Sequence, residues 1–214
     1  MKIDFVSDVS CPWCAVGLRE LEDARERVAP EIRPELHFQP FELNPKMGPQ
    51  GQDIVEHLGE KYGATPAQLE RNQQAIRARG EAVGFAFRMD RRSRIFNTFD
   101  AHRLLHWAGL EDTALQHRLK RALFSAYFTD GENPGSRDVL LRAAAAAGLD
   151  AARAARVIDS GEFADDVRER ERYYTDRGIH SVPSVIIDDK HLIQGGQTSD
   201  VFEQALRKIA AQQA

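Results

Sequence analysis

Cys11 and Cys14 are the only two cysteines among 214 residues, and they stand three positions apart. A pair this close encloses too short a loop to add much stability by cross-linking. A secreted scaffold stapled by disulfides uses more cysteines at wider separations. The pair therefore points to chemistry, namely thiol–disulfide exchange. In that cycle one thiolate attacks a disulfide sulfur and the second cysteine resolves the mixed disulfide. A Cys-x-x-Cys can also be half of a zinc site, but no further cysteine supplies the other half. His102 and His106, spaced i, i+4, are read as packing or surface residues, so no metal is expected.

Exchange needs a stabilised thiolate, and the first turn of a helix supplies one through its unpaired N–H groups and positive dipole end. The surrounding residues predict that setting. Ile3, Phe5 and Val6 mark a short buried strand over Lys2–Ser7, and Asp8, Ser10 and Pro12 punctuate its end. Val16, Leu18, Leu21 and Ala24 then recur at helical spacing, which places Cys11 at a helix start with Pro12 in the first turn. Leu36, Phe38 and Phe41 predict a second strand, completing a βαβ unit.

From about residue 54 to 178 the pattern is helical, with few strand signals. Thr65-Pro66-Ala67-Gln68 fits a capping box with proline at the first helical position. A helix opening at Asn97-Thr98-Phe99-Asp100 is expected to stop before Gly109, and Ala143–Ala147 reads as helix interior. Strand character returns over Val182–Ile187, followed by a turn at Asp188-Asp189-Lys190, a return strand His191–Gln194 and a helix Val201–Ala210 capped by Thr198 or Ser199. The expected fold class is α/β, a thioredoxin-like βαβ…ββα domain with a large inserted α-helical domain. Its divisions are residues 1–50 (first half), 51–178 (helical insertion) and 179–214 (second half).

Composition narrows the function. The formal charge of −4 gives no basic excess for nucleic acid. No apolar run is long enough to span a bilayer, and the mean hydropathy is −0.48. The N-terminus starts at Met1 with no leader-like apolar stretch, so a cytoplasmic location is expected.

The βαβ opening, Cys11-Pro12-Trp13-Cys14 and Ser181-Val182-Pro183-Ser184-Val185 together resemble the DsbA-like branch of the thioredoxin superfamily, and more narrowly its FrnE-type members. Phe5-Val6-Ser7-Asp8 and Asn97-Thr98-Phe99-Asp100-Ala101-His102-Arg103-Leu104-Leu105 carry the same likeness, which covers essentially the whole chain. The resemblance implies a nucleophilic Cys11, a resolving Cys14 and a cis Pro183 lying against the disulfide. Pro12, Trp13, Val182 and Pro183 would contact thiol- or disulfide-containing protein substrates, with Val182 offering its backbone to an extended peptide. Strongly oxidising DsbA proteins carry histidine where Trp13 stands, so a less oxidising disulfide is expected here.

Related kappa-class glutathione transferases and hydroxychromene-carboxylate isomerases use serine at the nucleophile position. Their likeness brings in glutathione as a co-substrate, with no bound cofactor. On that basis Asn97, His102, Gly196, Ser199 and Asp200 are candidate cleft or glutathione contacts, with Gly195 beside the last helix and Arg103 on the cleft side. Asp4 and Asp8 are read mainly as solvated strand-end carboxylates, either of which could approach Cys14. Protein disulfide exchange leads. A glutathione-dependent isomerase or transferase acting on a small molecule, and a redox-sensing or chaperone-like binding module, stand beside it.

Overall fold

In the computed structural model, which describes residues 1–29 and 31–213, strand β1 (Lys2–Ser7) leads into helix α1 (Pro12–Val28) and strand β2 (Glu35–Pro40). β2 runs parallel to β1, with Phe5 opposite Phe38. A two-residue strand β3 (Gln52–Asp53) precedes α2 (Ile54–Tyr62) and α3 (Pro66–Ala82), and pairs antiparallel with β4 (Arg94–Ile95). Next come α4 (Phe99–Glu111), α5 (Thr113–Phe128), α6 (Arg137–Ala147), α7 (Ala151–Ser160) and α8 (Ala164–Thr175). The hairpin β5 (Ser184–Ile187) and β6 (His191–Gln194) and the last helix α9 (Ser199–Ala211) complete the fold. The main sheet has the order β2-β1-β5-β6, with β5 antiparallel to β1. This is the thioredoxin-like α/β fold with a helical insertion.

Alternation along β1 explains how the sheet is covered. Ile3 and Phe5 enter the core shared with Leu18 of α1 and Phe202 of α9, while Val6 meets Tyr174 and Ile179 on the opposite face. The alanines of α6 let that helix sit close to α5: Ala143, Ala144 and Ala147 pack in one cluster with Leu119 and Leu123. Three residues connect Ile187 to its partner His191; Asp188 and Asp189 have positive φ (51° and 58°), and the Lys190 N–H donates to the Ile187 carbonyl at 3.1 Å.

Four local expectations differ from the structure. The β3–β4 ribbon was not anticipated, because two-residue strands leave no alternating pattern to read. Phe41 falls just beyond β2. Helix α4 runs through Gly109 to Glu111. The glycine there leaves room for a neighbour rather than ending the helix: a Cβ at Gly109 would lie 2.6 Å from Gln116 Nε2. Gln116 in turn bonds the open edge of β2, accepting from Phe38 N–H (3.0 Å) and donating to the Phe38 carbonyl (3.0 Å) and the Leu105 carbonyl (3.1 Å). Lastly, neither Thr198 nor Ser199 caps α9 with its side chain. The Glu20 carboxylate does so from α1, accepting the Ser199 N–H at 2.8 Å.

Candidate redox active site

Asp8 shapes the turn that follows β1. Its carboxylate accepts the Ser10 N–H (3.1 Å) and the Leu43 N–H (2.7 Å), and its carbonyl accepts the Cys11 N–H (3.2 Å). These bonds hold Cys11 as the N-cap of α1 with extended backbone, and Pro12 opens the helix where its missing N–H costs nothing. No acidic residue occupies the first turn, so the positive helix end faces Cys11 unopposed.

The two free thiols differ in access. Cys11 is 4% exposed and lines a cavity of about 590 Å³, whereas Cys14 is 0% exposed. Pro12, Trp13 and Val182 line the same cavity, with apolar walls from α2 and α3 such as Leu58, Leu69 and Ile76. The Cys11 thiol donates to the Val182 carbonyl at 3.6 Å. The Val182–Pro183 peptide bond is cis, and the Pro183 carbonyl accepts the Gly195 N–H at 2.8 Å. The pieces interlock through Gly17, a position the sequence did not single out. A Cβ there would come within 3.2 Å of both Pro183 Cγ and Gly196 Cα.

Beneath the cysteines lies a buried polar group. Burial pushes the Cys14 thiol well above the usual range, and contact with Cys11 adds to this, while the Lys120 ammonium opposes it. Lys120, on α5, is 0% exposed and its Nζ has no hydrogen-bond partner; the Phe124 ring lies 5.0 Å away. Burial drives its pKa down to about 8, against the pull of Cys14, Asp8 and Cys11. Asp8 is 1% exposed rather than solvated. Burial alone would raise it, yet nearby His102 and the Leu43 and Ser10 N–H donors hold it down at about 2. His102 Nε2 stands 3.5 Å from Asp8 Oδ1, too long for a good hydrogen bond. Asp4 is buried as well, and it pairs instead with Lys2 (2.7 Å) and Gln39 (2.6 Å).

The remaining candidates divide by place. Gly196 packs on the first turn of α1, where a Cβ would meet the Trp13 carbonyl at 3.1 Å. His102 is a core residue and does not line the Cys11 cavity. Asn97 is absent from that cavity too. It accepts the Phe99 N–H (2.9 Å), donates to the Met47 carbonyl (3.0 Å) and borders a separate hollow of about 190 Å³. Arg103 is buried on carbonyls near the end of α7, including that of Glu162 at 2.9 Å. Ser199 and Asp200 serve the α1–α9 contact, the first through Glu20 and the second through Arg27 at 2.7 Å. The His106 ring lies 5.3 Å from that of Phe163 at a tilt of 43°, and no group of three or more metal-ligating side chains is found among the described residues.

Fold, cis proline and a Cys-x-x-Cys at a helix start are the arrangement of a thioredoxin-like domain. Residues 2–207 match the family model described as a DSBA-like thioredoxin domain, and the chain belongs to that family. The uncharacterized protein YwbO of Bacillus subtilis (strain 168) is 28% identical over 207 residues, covering 96% of each chain. A probable DsbA oxidoreductase from Streptomyces coelicolor superposes with a TM-score of 0.86 at 32% identity, over 97% of this chain and 89% of that one. The cytosolic disulfide reductase DsbM from Pseudomonas aeruginosa, solved with GSH, shares the fold at 19% identity and a TM-score of 0.67, over 99% and 100% of the two chains. Among the described residues no helix is long and apolar enough to cross a membrane.

Proposed function

We propose that the chain exchanges disulfides with protein substrates, with Cys11 as nucleophile and Cys14 as resolving thiol. The difference in access carries this assignment: Cys11 lines an open cavity, while Cys14 is sealed behind it. Cys11 thiolate attacks a substrate disulfide sulfur, forming a mixed disulfide and releasing one substrate thiolate. Cys14 then attacks Cys11 Sγ, releasing the second. The enzyme dithiol is oxidised to a disulfide as the substrate disulfide is reduced to two thiols, and the two enzyme protons pass to the products. The same steps reversed oxidise a substrate dithiol.

Val182 supports this cycle from the far end of the chain, since its carbonyl already meets the Cys11 thiol and lies beside the space an extended peptide would fill. Residues 51–178 act as an insertion that walls the substrate cavity. A cytosolic location accords with the compartment in the DsbM name. Glutathione is a second partner of the same sulfur; its γ-glutamyl end finds the Ser199 N–H already taken by Glu20.

Reduction of insulin by the protein, followed together with trapping by the two cysteine variants, tests the assignment. Cys11→Ser should abolish exchange, and Cys14→Ser should accumulate mixed disulfides through Cys11. Full exchange activity in Cys11→Ser overturns it.

A further inference from the structure

Of the basic residues that line the Cys11 cavity and that the exchange cycle leaves unused (His57, Lys61, Arg92 and His180), Arg92 is the buried one. It lies on the loop before β4, is only 9% exposed and lines the cavity that holds Cys11. The Tyr127 and Phe128 rings lie 4.8 and 5.1 Å from its guanidinium carbon. Aromatic rings stabilise a guanidinium through its faces but accept little along its edge, where the five N–H donors point. No carboxylate approaches Arg92 within 4 Å among the described residues, and its Nε has no hydrogen-bond partner. A buried arginine is ordinarily paired with a carboxylate, whereas this one meets the Tyr127 side chain and, among the described residues, no charged acceptor.

The rest of the wall accentuates the imbalance. Lys61 already donates to the Leu43 carbonyl (2.6 Å) and Asn44 Oδ1 (2.7 Å), and His57 contacts Asn44 and Gln52. No aspartate or glutamate lines the cavity, although acidic residues outnumber basic ones in the chain as a whole. A charged acceptor for Arg92 would come from whatever enters. A carboxylate matches the guanidinium edge with two parallel hydrogen bonds.

We infer that Arg92 forms an anion subsite in the cavity that Cys11 lines, so that the protein prefers disulfides whose carboxylate reaches it while a sulfur meets Cys11. This rests on Cys11 being the nucleophile, and it adds a selectivity which that assignment does not require. The carboxylate comes from a small acidic thiol or from an acidic residue flanking a substrate cysteine.

Three disulfides of nearly equal length test it: 3,3′-dithiodipropionate (anionic), bis(2-hydroxyethyl) disulfide (neutral) and cystamine (cationic). Each rate with the reduced protein is divided by its rate with free dithiothreitol, which removes differences in leaving-group reactivity. The anionic compound should exceed the neutral one by about tenfold, the scale of a charge-assisted hydrogen bond, and cystamine should rank last. Arg92→Gln should reduce that ratio to near one, and Arg92→Lys should retain part of it. Equal normalised rates in the wild-type protein, read without any variant, overturn the inference, as does a preference that survives Arg92→Gln. Because the neutral disulfide reports Cys11 chemistry by itself, exchange without charge preference removes the subsite and leaves the oxidoreductase standing. No exchange with any of the three removes both. Disulfide-linked peptides with Glu or Gln beside cysteine form a further arm: a Glu preference larger than that of the small acid assigns the carboxylate to peptides, and a smaller one assigns it to small thiols.

Discussion

Lys120→Met is the most informative single change. The ammonium is fully buried, its Nζ has no hydrogen-bond partner, and its pKa falls from 10.5 to about 8. Each pKa unit corresponds to about 1.4 kcal/mol, so the charged lysine costs the folded state up to about 3 kcal/mol at neutral pH. Between about pH 8 and 10.5 the unfolded chain holds more protons at this site than the native one, so the penalty is relieved as pH rises. Methionine fills a similar volume without charge. The reduced variant should therefore be more stable than wild type by as much as about 3 kcal/mol at pH 7, with the gap closing towards pH 10. Denaturant unfolding of both proteins under reducing conditions at pH 7, 8, 9 and 10 measures this gap. Because the Cys14 thiol interacts with the Lys120 ammonium, Cys14→Ser is placed in both proteins, which removes that thiol's titration from the difference. With Cys14 in place, the variant should also resolve mixed disulfides more slowly, because the cation that favours the Cys14 thiolate is gone. A variant that is less stable at pH 7, or a gap that does not change with pH, refutes the reasoning.

Asp8→Asn should lose about 2 kcal/mol at pH 7, the scale of the drop of the Asp8 pKa from 3.8 to about 2. A depressed carboxylate contributes its stability above pH 3.8 and loses it as pH falls through 2, so the variant's acid unfolding should be shallower over that window. Gly109→Ala should destabilise by about 1–3 kcal/mol, because its Cβ displaces Gln116 from the β2 edge; a melting temperature equal to wild type would contradict the close approach. Trp13→His should make the Cys11–Cys14 disulfide more oxidising, by roughly 30 mV for each 1.4 kcal/mol of added thiolate stabilisation, as read by equilibration against glutathione redox buffers.

Much of the site was legible because its signals are local. Cys11 and Cys14 sit beside a proline that starts a helix, and the capping box at Thr65 and the two-aspartate turn at Asp188 are short patterns with a direct backbone meaning. What escaped is set by tertiary packing. Asp8 has the composition of a solvated strand end, and only the Leu43 N–H, 35 residues onward, gives it a reason to be buried. Lys120 carried one signal that could have been used: it shares a helical face with Gln116, Leu123 and Tyr127, all buried. A lysine in such a register either snorkels or is held inside for a purpose. Asn97 matched a family motif, yet its amide is spent on the backbone at the start of α4.

The sheet order has a consequence for biosynthesis. β1 lies between β2 and β5, and its register with β5 joins Ile3 to Ile187. A ribosome has therefore made more than four-fifths of the chain before the second neighbour of β1 exists. Until then the nascent protein carries an open strand edge rich in apolar residues and a Cys11 thiol without its Val182 partner. Such distant pairing is slow to form. The newborn chain is thus open to association through that edge and to oxidation of its two thiols before its fold is complete.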